Sequence, residues 1–266
     1  VGQVKRSIRR LGHAVEELSE VALGGTAVGT GVNTHPKFSR MVCERLSRAV
    51  SGNVHETENH FQSQSTMDAV IEASGSLRTV AISLHEIANN ISWMGSGPRA
   101  GIGELDIPEV QPGSSIMPGK VNPVIPESLI QVVSHVLGND LTISLAGQRS
   151  YFELNTMMPV AGYNFLESIS ILATATSNFT LQCVQGLKAT DKGPKMVEQG
   201  LAICTALAPI IGYDAAADIA KEAARTGRTV KSVAVENTSL SEQELEEILD
   251  PAKMTEPGLG LGPTSA

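Results

Sequence analysis

Apolar residues recur at spacings of three and four along four stretches of the chain, which is the pattern of amphipathic α-helices. Alternation of apolar and polar residues, the pattern of half-buried β-strands, is almost absent. The spacing predicts one helix that is already running at position 4, three long helices, and a shorter helix at about 37–49. The four series are Val4, Ile8, Leu11, Val15 and Leu18; Leu77, Val80, Leu84, Ile87 and Ile91; Ile125, Leu129, Val132 and Val136; and Phe165, Ile169, Leu172 and Phe179. Long helices joined by loops at their ends predict an all-α fold, an elongated long-helix bundle.

Two expectations follow from these series. The first helix has no capping residue ahead of it, so we expect that the chain lacks its natural start. The apolar faces should meet in helix–helix contacts of the assembled protein. Six residues are expected to be buried there: Val4, Leu11, Leu18, Leu77, Leu84 and Ile91.

Near position 187 the sequence pattern changes from long predicted helices to short ones. We predict a central long-helix domain at 1–186, incomplete at its start, and a small helical domain at 187–266. Cap signals delimit its helices, with Asp214 and Thr229 as N-caps, Gly227 after a helix end, and Ser241 with Glu244 as a capping box. The final segment "EPGLGLGPTSA" has few apolar anchors and is expected to be a flexible tail.

Composition narrows the classes of function. The 266 residues carry a formal net charge of −8, which argues against a general surface for nucleic acid or anionic membrane. The three cysteines lack metal-ligand spacing, so neither a disulfide nor a metal site is expected. No apolar run approaches the roughly 18 residues of a membrane helix. We therefore expect a soluble, cytoplasmic protein, or a mitochondrial one if the organism is eukaryotic.

The stretch "PGSSIMPGKVNPVIPE", residues 112–127, interrupts the helical pattern with prolines, glycines and polar groups. Asn122 followed by Pro123 predicts a helix start, with Asn122 as the N-cap. Helix-end amides and Lys120 then face the same space, which favours an anionic ligand. A serine surrounded by such donors can act as a base, because its alkoxide is stabilised. The alternative is a turn followed by a capped helix, with no chemistry.

The same stretch resembles the signature loop of the fumarase/aspartase superfamily. Four further segments resemble the class II fumarase branch: "GGTAVGTGVNTHP" (24–36), "SGPRAGIGE" (96–104), "FELN" (152–155) and "IGYDAAADIAKEA" (211–223). They occur in the family's order and extend over nearly the whole chain. The Lys-Val-Asn wording is similar to fumarases and aspartases, and "NTHP" and "IGYDAA" favour the fumarase branch.

The resemblance implies a lyase that interconverts (S)-malate with fumarate and water by anti elimination through a carbanion. It assigns Ser114 as the base, and it assigns Ser115, Lys120, Val121 and Asn122 to binding of a substrate carboxylate. It implies that Glu127 pairs with a catalytic histidine, which in the family lies upstream of Val1. None of the six histidines present is assigned to catalysis, and no cofactor or metal is implied.

The resemblance also implies a homo-oligomer, a homotetramer with active sites shared between subunits, whose ligands are the small dicarboxylates malate and fumarate. Because part of the site is missing, the chain alone is expected to be inactive. Two alternatives stay open, an aspartate ammonia-lyase of the same superfamily and a non-catalytic helical scaffold.

Overall fold

The structure, a computed structural model, describes residues 1–148 and 150–258. Within those ranges the chain forms eleven α-helices: α1 (Gly2–Glu17), α2 (Phe38–Val50), α3 (His60–Ser65), α4 (Asp68–Met94), α5 (Val124–Ala146), α6 (Met158–Gln182), α7 (Lys192–Gln199), α8 (Ala208–Ile211), α9 (Tyr213–Thr226), α10 (Val230–Asn237) and α11 (Glu242–Ile248). Short 3-10 turns lie at Val184–Gly186, Ala202–Leu207 and Lys253–Thr255. The predicted all-α fold with three long helices is confirmed.

Four strands of two residues each form two small ribbons. β1 (Glu20–Val21) pairs in parallel with β2 (His55–Glu56). β3 (Leu105–Asp106) pairs antiparallel with β4 (Lys188–Ala189). Strands this short fix the ends of loops and add no sheet to the core.

The chain divides into two compact units. The first consists of Val1–Gly95 and Ile107–Leu187, and the second of Ser96–Asp106 and Lys188–Ala266. The segment Ser96–Asp106 therefore groups with the small C-terminal helices, because β3 pairs with β4 and the Thr190 hydroxyl donates to the carbonyl of Gly103 at 2.7 Å. The pairing is non-local, so it leaves no mark in the local sequence pattern.

The first unit is a helix bundle in which α5 packs against both α4 and α6, while α1 packs on α4. Leu129, Val136 and Ile143 of α5 are fully buried between its neighbours. The buried carboxylate of Asp140 accepts hydrogen bonds from Ser74 and Arg78 of α4, both at 2.7 Å. A buried carboxylate needs such partners, and here they join α4 to α5.

Helix α5 is also long and apolar enough, by length and composition alone, to cross a membrane. A core helix of a soluble protein passes the same test. Because α5 is the central helix of this bundle and carries the ion-paired Asp140, we interpret it as a bundle core helix.

One face of the bundle is an open apolar groove between α1, α4 and α6, with a cavity volume of about 670 Å³. Of the six residues expected to be buried, Leu77 and Ile91 are buried, while Leu11, Leu18 and Leu84 are partly buried along the groove. Val4 remains 42% exposed and its neighbour Ile8 65% exposed. The apolar stripe of α1 is therefore only half covered within a single chain, and its burial in an assembly stays a prediction.

The second unit has its own core, formed by Leu207, Ile219, Val233 and Leu245 with their neighbours. The Thr229 N-cap, the left-handed Gly227 and the Ser241–Glu244 capping box are all confirmed. Asp214 as an N-cap is wrong, since it lies inside the first turn of α9 after Gly212. The tail prediction extends to positions outside the described residues.

Candidate active site

The loop ahead of α5 is closed on itself at residues 113–122. The amide of Gly113 donates to the carbonyl of Lys120 at 3.0 Å, and the side-chain amide of Asn122 donates to the carbonyl of Gly113 at 2.7 Å. A Cβ on Gly113 would lie 2.3 Å from the Lys120 carbonyl oxygen. Only glycine permits this approach of the two backbones.

Ser114 stands at the start of the closed loop, and its hydroxyl oxygen accepts two backbone hydrogen bonds. The donors are the amides of Ile116 at 3.1 Å and Met117 at 3.0 Å. Two fixed N–H dipoles aimed at one oxygen stabilise negative charge as it develops there. The arrangement therefore stabilises negative charge on the Ser114 oxygen, as a serine that acts as a base would require.

The start of α5 differs from the prediction. Asn122 is not the N-cap; Pro123 occupies that position, and it makes no side-chain cap hydrogen bond. The Asn122 side-chain amide instead donates to the carbonyl of Gly113, nine residues earlier, while its backbone carbonyl accepts from the Val124 amide at 2.8 Å. The loop still runs directly into the helix N-terminus, so the expected positive end of the dipole is present.

Three of the remaining predicted site residues belong to this loop, and the fourth follows it on α5. Ser115, Lys120 and Val121 are exposed, and Glu127 is exposed in the first turn of α5. Lys120 brings a positive charge to the loop, and Glu127 brings a carboxylate one helical turn further on. The structure thus gathers Ser114, Lys120 and Asn122 into one closed loop, while the pairing of Glu127 with a histidine stays a prediction.

His135 has a carboxylate partner away from the loop. His135 on α5 contacts the Glu167 carboxylate on α6 at 3.0 Å, and Asn139 donates to the same oxygen. The hydrogen bond with His135 is the largest cause of a lowered pKa of Glu167, and the hydrogen bond from Asn139 is the second. His135 is therefore engaged away from Glu127.

The "GGTAVGTG" and "FELN" motifs, which are far apart in sequence, are joined through Gln64. The Gln64 side chain donates to the carbonyl of Thr26 at 2.7 Å, and Asn155 donates to the backbone carbonyl of Gln64 at 2.7 Å. The Gln64 side-chain oxygen is buried without a partner among the described residues. This link was missed from the sequence, because nothing in the local pattern of "HFQSQS" signals it.

A metal centre was not expected from the sequence. Among residues 1–148 and 150–258, no three His, Cys, Asp or Glu side chains are grouped so that they could hold a metal ion.

Comparison with protein families agrees with these features. A family model described as "Lyase" matches residues 1–138, and one described as "Fumarase C C-terminus" matches residues 203–256. The fumarate hydratase class II of Bacillus cereus is 43% identical over 255 residues, which cover 96% of this chain and 55% of that protein. The fumarate hydratase class II of Xylella fastidiosa is 42% identical, with 97% and 54% covered.

Two solved structures share the fold. The fumarate lyase:delta crystallin from Brucella melitensis, bound to cobalt, has a TM-score of 0.91 at 39% identity, covering 96% of this chain and 56% of that one. The recombinant class II fumarase from Schistosoma mansoni has a TM-score of 0.87 at 31% identity, covering 95% and 56%. The chain spans about half the length of the curated relatives it matches. The predicted relationship to class II fumarases is confirmed, and the chain belongs to the lyase family, within the fumarase/aspartase superfamily.

Proposed function

We propose that this chain is part of a fumarate hydratase that interconverts (S)-malate with fumarate and water. The observation that carries the proposal is the pair of backbone amides that donate to the Ser114 hydroxyl oxygen at 3.0 and 3.1 Å. Curated relatives named fumarate hydratase class II support the choice of substrate.

In the proposed dehydration, the Ser114 alkoxide takes the proton from C3 of malate, and the C–H electron pair moves into the adjacent carboxylate. Binding groups accelerate the step only if they hold this dianionic state more tightly than the ground state. Lys120 supplies a charge, while Ser115, Asn122 and the backbone amide of Val121 supply donors. The carbanion then expels the C2 hydroxyl as water, which requires one proton from an acid.

Glu127 would tune that acid. A carboxylate beside an imidazole favours the protonated ring, which can then donate to the departing hydroxyl. Glu127 lies in the first turn of α5 and is exposed, so it is accessible to a partner from outside the described chain.

Assembly into a homo-oligomer, with a homotetramer as its expected form, belongs to the same proposal. In addition to the groove beside α1, a second apolar stripe lies on α5, where Leu137, Leu141 and Leu145 recur every four residues and are exposed. Contiguous exposed apolar surface of this kind marks protein–protein contacts. Helices from further copies of the protein would cover both faces, and would bring groups of different subunits together at each site. We also propose a cytoplasmic location.

The test uses the complete gene product and follows the ultraviolet absorbance of fumarate after addition of malate or aspartate. We expect fumarate to form from malate only. Formation from aspartate would replace the proposal with an ammonia-lyase, and no formation from either would favour a scaffold.

A further inference from the structure

We propose that Asn122 is a positioning residue for the Ser114 base, in addition to any contact that it makes with substrate. Its side-chain amide closes the loop 113–122 and so fixes the backbone on which Ser114 and its two amide donors sit. The inference rests on the proposed function and concerns how that site is kept in working geometry.

The orientation of the Asn122 amide follows from chemistry. The carbonyl oxygen of Gly113 can only accept a hydrogen bond, so the group that faces it at 2.7 Å must be the NH2 of Asn122. One of the two amide protons is therefore committed to the loop. A dicarboxylate substrate is also an acceptor only, so it can use at most the remaining proton.

The loop closure has two parts that share Gly113. Its amide donates to the carbonyl of Lys120, and its carbonyl accepts from Asn122. Ser114 follows directly, and its oxygen depends on the next turn for the amides of Ile116 and Met117. If both hydrogen bonds at Gly113 break, residues 113–120 are no longer tied to the start of α5 at their N-terminal end. The amides of Ile116 and Met117 then lose their fixed direction toward the Ser114 oxygen.

Two substitutions break the closure by different routes. Asn122→Ala removes the donor, whereas Gly113→Ala leaves Asn122 intact and places a Cβ 2.3 Å from the Lys120 carbonyl oxygen. Asn155→Ala is the matched control, because it deletes another side-chain amide that donates to a backbone carbonyl at 2.7 Å, that of Gln64.

The first measurement is trypsin cleavage after Lys120 in the complete gene product, relative to cleavage after Arg99. Native-state cleavage follows local opening, and loss of one hydrogen bond changes an opening equilibrium by roughly 3- to 10-fold. We expect an increase of this size for Asn122→Ala and Gly113→Ala, and none for Asn155→Ala. Unchanged cleavage in both loop variants, with circular dichroism showing intact helices, overturns the closure.

The second measurement is the kinetics of malate dehydration. Misdirected donors weaken Ser114 as a base, so we expect both loop variants to lose kcat by about 10-fold or more with a smaller change in KM. A rise in KM alone for Asn122→Ala, with full activity of Gly113→Ala, would make Asn122 a substrate ligand only and overturn the inference. If the unmodified protein does not convert malate, the proposed function fails and its positioning role with it, whereas faster cleavage after Lys120 would still report the closure itself.

Discussion

Removing Arg78 should destabilise the bundle, because it leaves the Asp140 carboxylate without its counter-ion. The Asp140 side chain is only 6% exposed, and Arg78 donates to it at 2.7 Å. Breaking a fully buried ion pair costs about 3–5 kcal/mol. Two features reduce that cost here: the Arg78 side chain is 48% exposed, so the pair is partly screened, and Ser74 still donates to Asp140. We therefore expect Arg78→Ala to lower the free energy of unfolding by about 2–3 kcal/mol.

The measurement is urea unfolding followed by circular dichroism, in which a shifted midpoint at constant slope reports stability. Lys221→Ala is the control, because its ion pair with Asp218 is 76% exposed on both sides and should contribute at most about 1 kcal/mol. The double variant Arg78→Met with Asp140→Leu should recover part of the loss, since no buried charge is left unpaired although the buried Ser74 hydroxyl loses its acceptor. A cost for Arg78→Ala no larger than that of Lys221→Ala would refute the reasoning.

Three further predictions concern the loop and the second unit. Lys120→Ala should reduce turnover and affinity for malate while the unfolding midpoint stays unchanged, because an exposed loop lysine contributes little to stability; a lower midpoint with normal activity would make Lys120 structural. Ser114→Ala should cost roughly 10²-fold or more in malate dehydration as a lost base, whereas Glu127→Gln should shift the pH profile with a smaller loss; full activity of Ser114→Ala would remove the serine base from the mechanism. Ser241→Ala should destabilise the protein by about 1 kcal/mol as a lost N-cap. Hydrogen bonds from Ser241 lower the pKa of Glu244. Their contribution to the free energy of unfolding is therefore present above the ordinary glutamate pKa of about 4.3 and is lost as the pH falls through the lowered value. Equal unfolding midpoints of the unmodified protein and Ser241→Ala at neutral pH would contradict the cap.

The parts of the fold that depend on local physics could be predicted from the sequence. The long helices follow from three-four spacing, and the Thr229 and Ser241 caps follow from side chains that bond their own first turn. The role of Asn122 could not be predicted, because its side chain bonds the carbonyl of Gly113, nine residues away, and does not cap the helix that follows it. The position of Asp214 could not be predicted either, because Gly212 at φ +87° starts α9 two residues earlier.

The candidate site shows the same division. The types of group in the 112–127 stretch could be predicted, since donors, a lysine and a helix start are all visible in the residues. The direction of the Ile116 and Met117 amides toward Ser114 could not, because it depends on backbone angles that the sequence leaves open. The partial exposure of the apolar face of α1 could not be predicted either. The three-four spacing identifies an apolar stripe, but it does not show which element covers that stripe.

Because Ser96–Asp106 belongs to the second unit, this segment cannot complete its contacts until the C-terminal part of the chain has been synthesised. Gly103 receives its hydrogen bond from Thr190, 87 residues later in the chain. At a translation rate of roughly 5–20 residues per second, the ribosome needs about 4–17 s to deliver that partner. By the end of this interval α4, α5 and α6 have all been synthesised, while β3, between α4 and α5, still lacks its partner strand β4. The small unit is therefore the last to be completed, and a nascent chain halted before Lys188 would expose the unpaired edge of Leu105–Asp106 to chaperones.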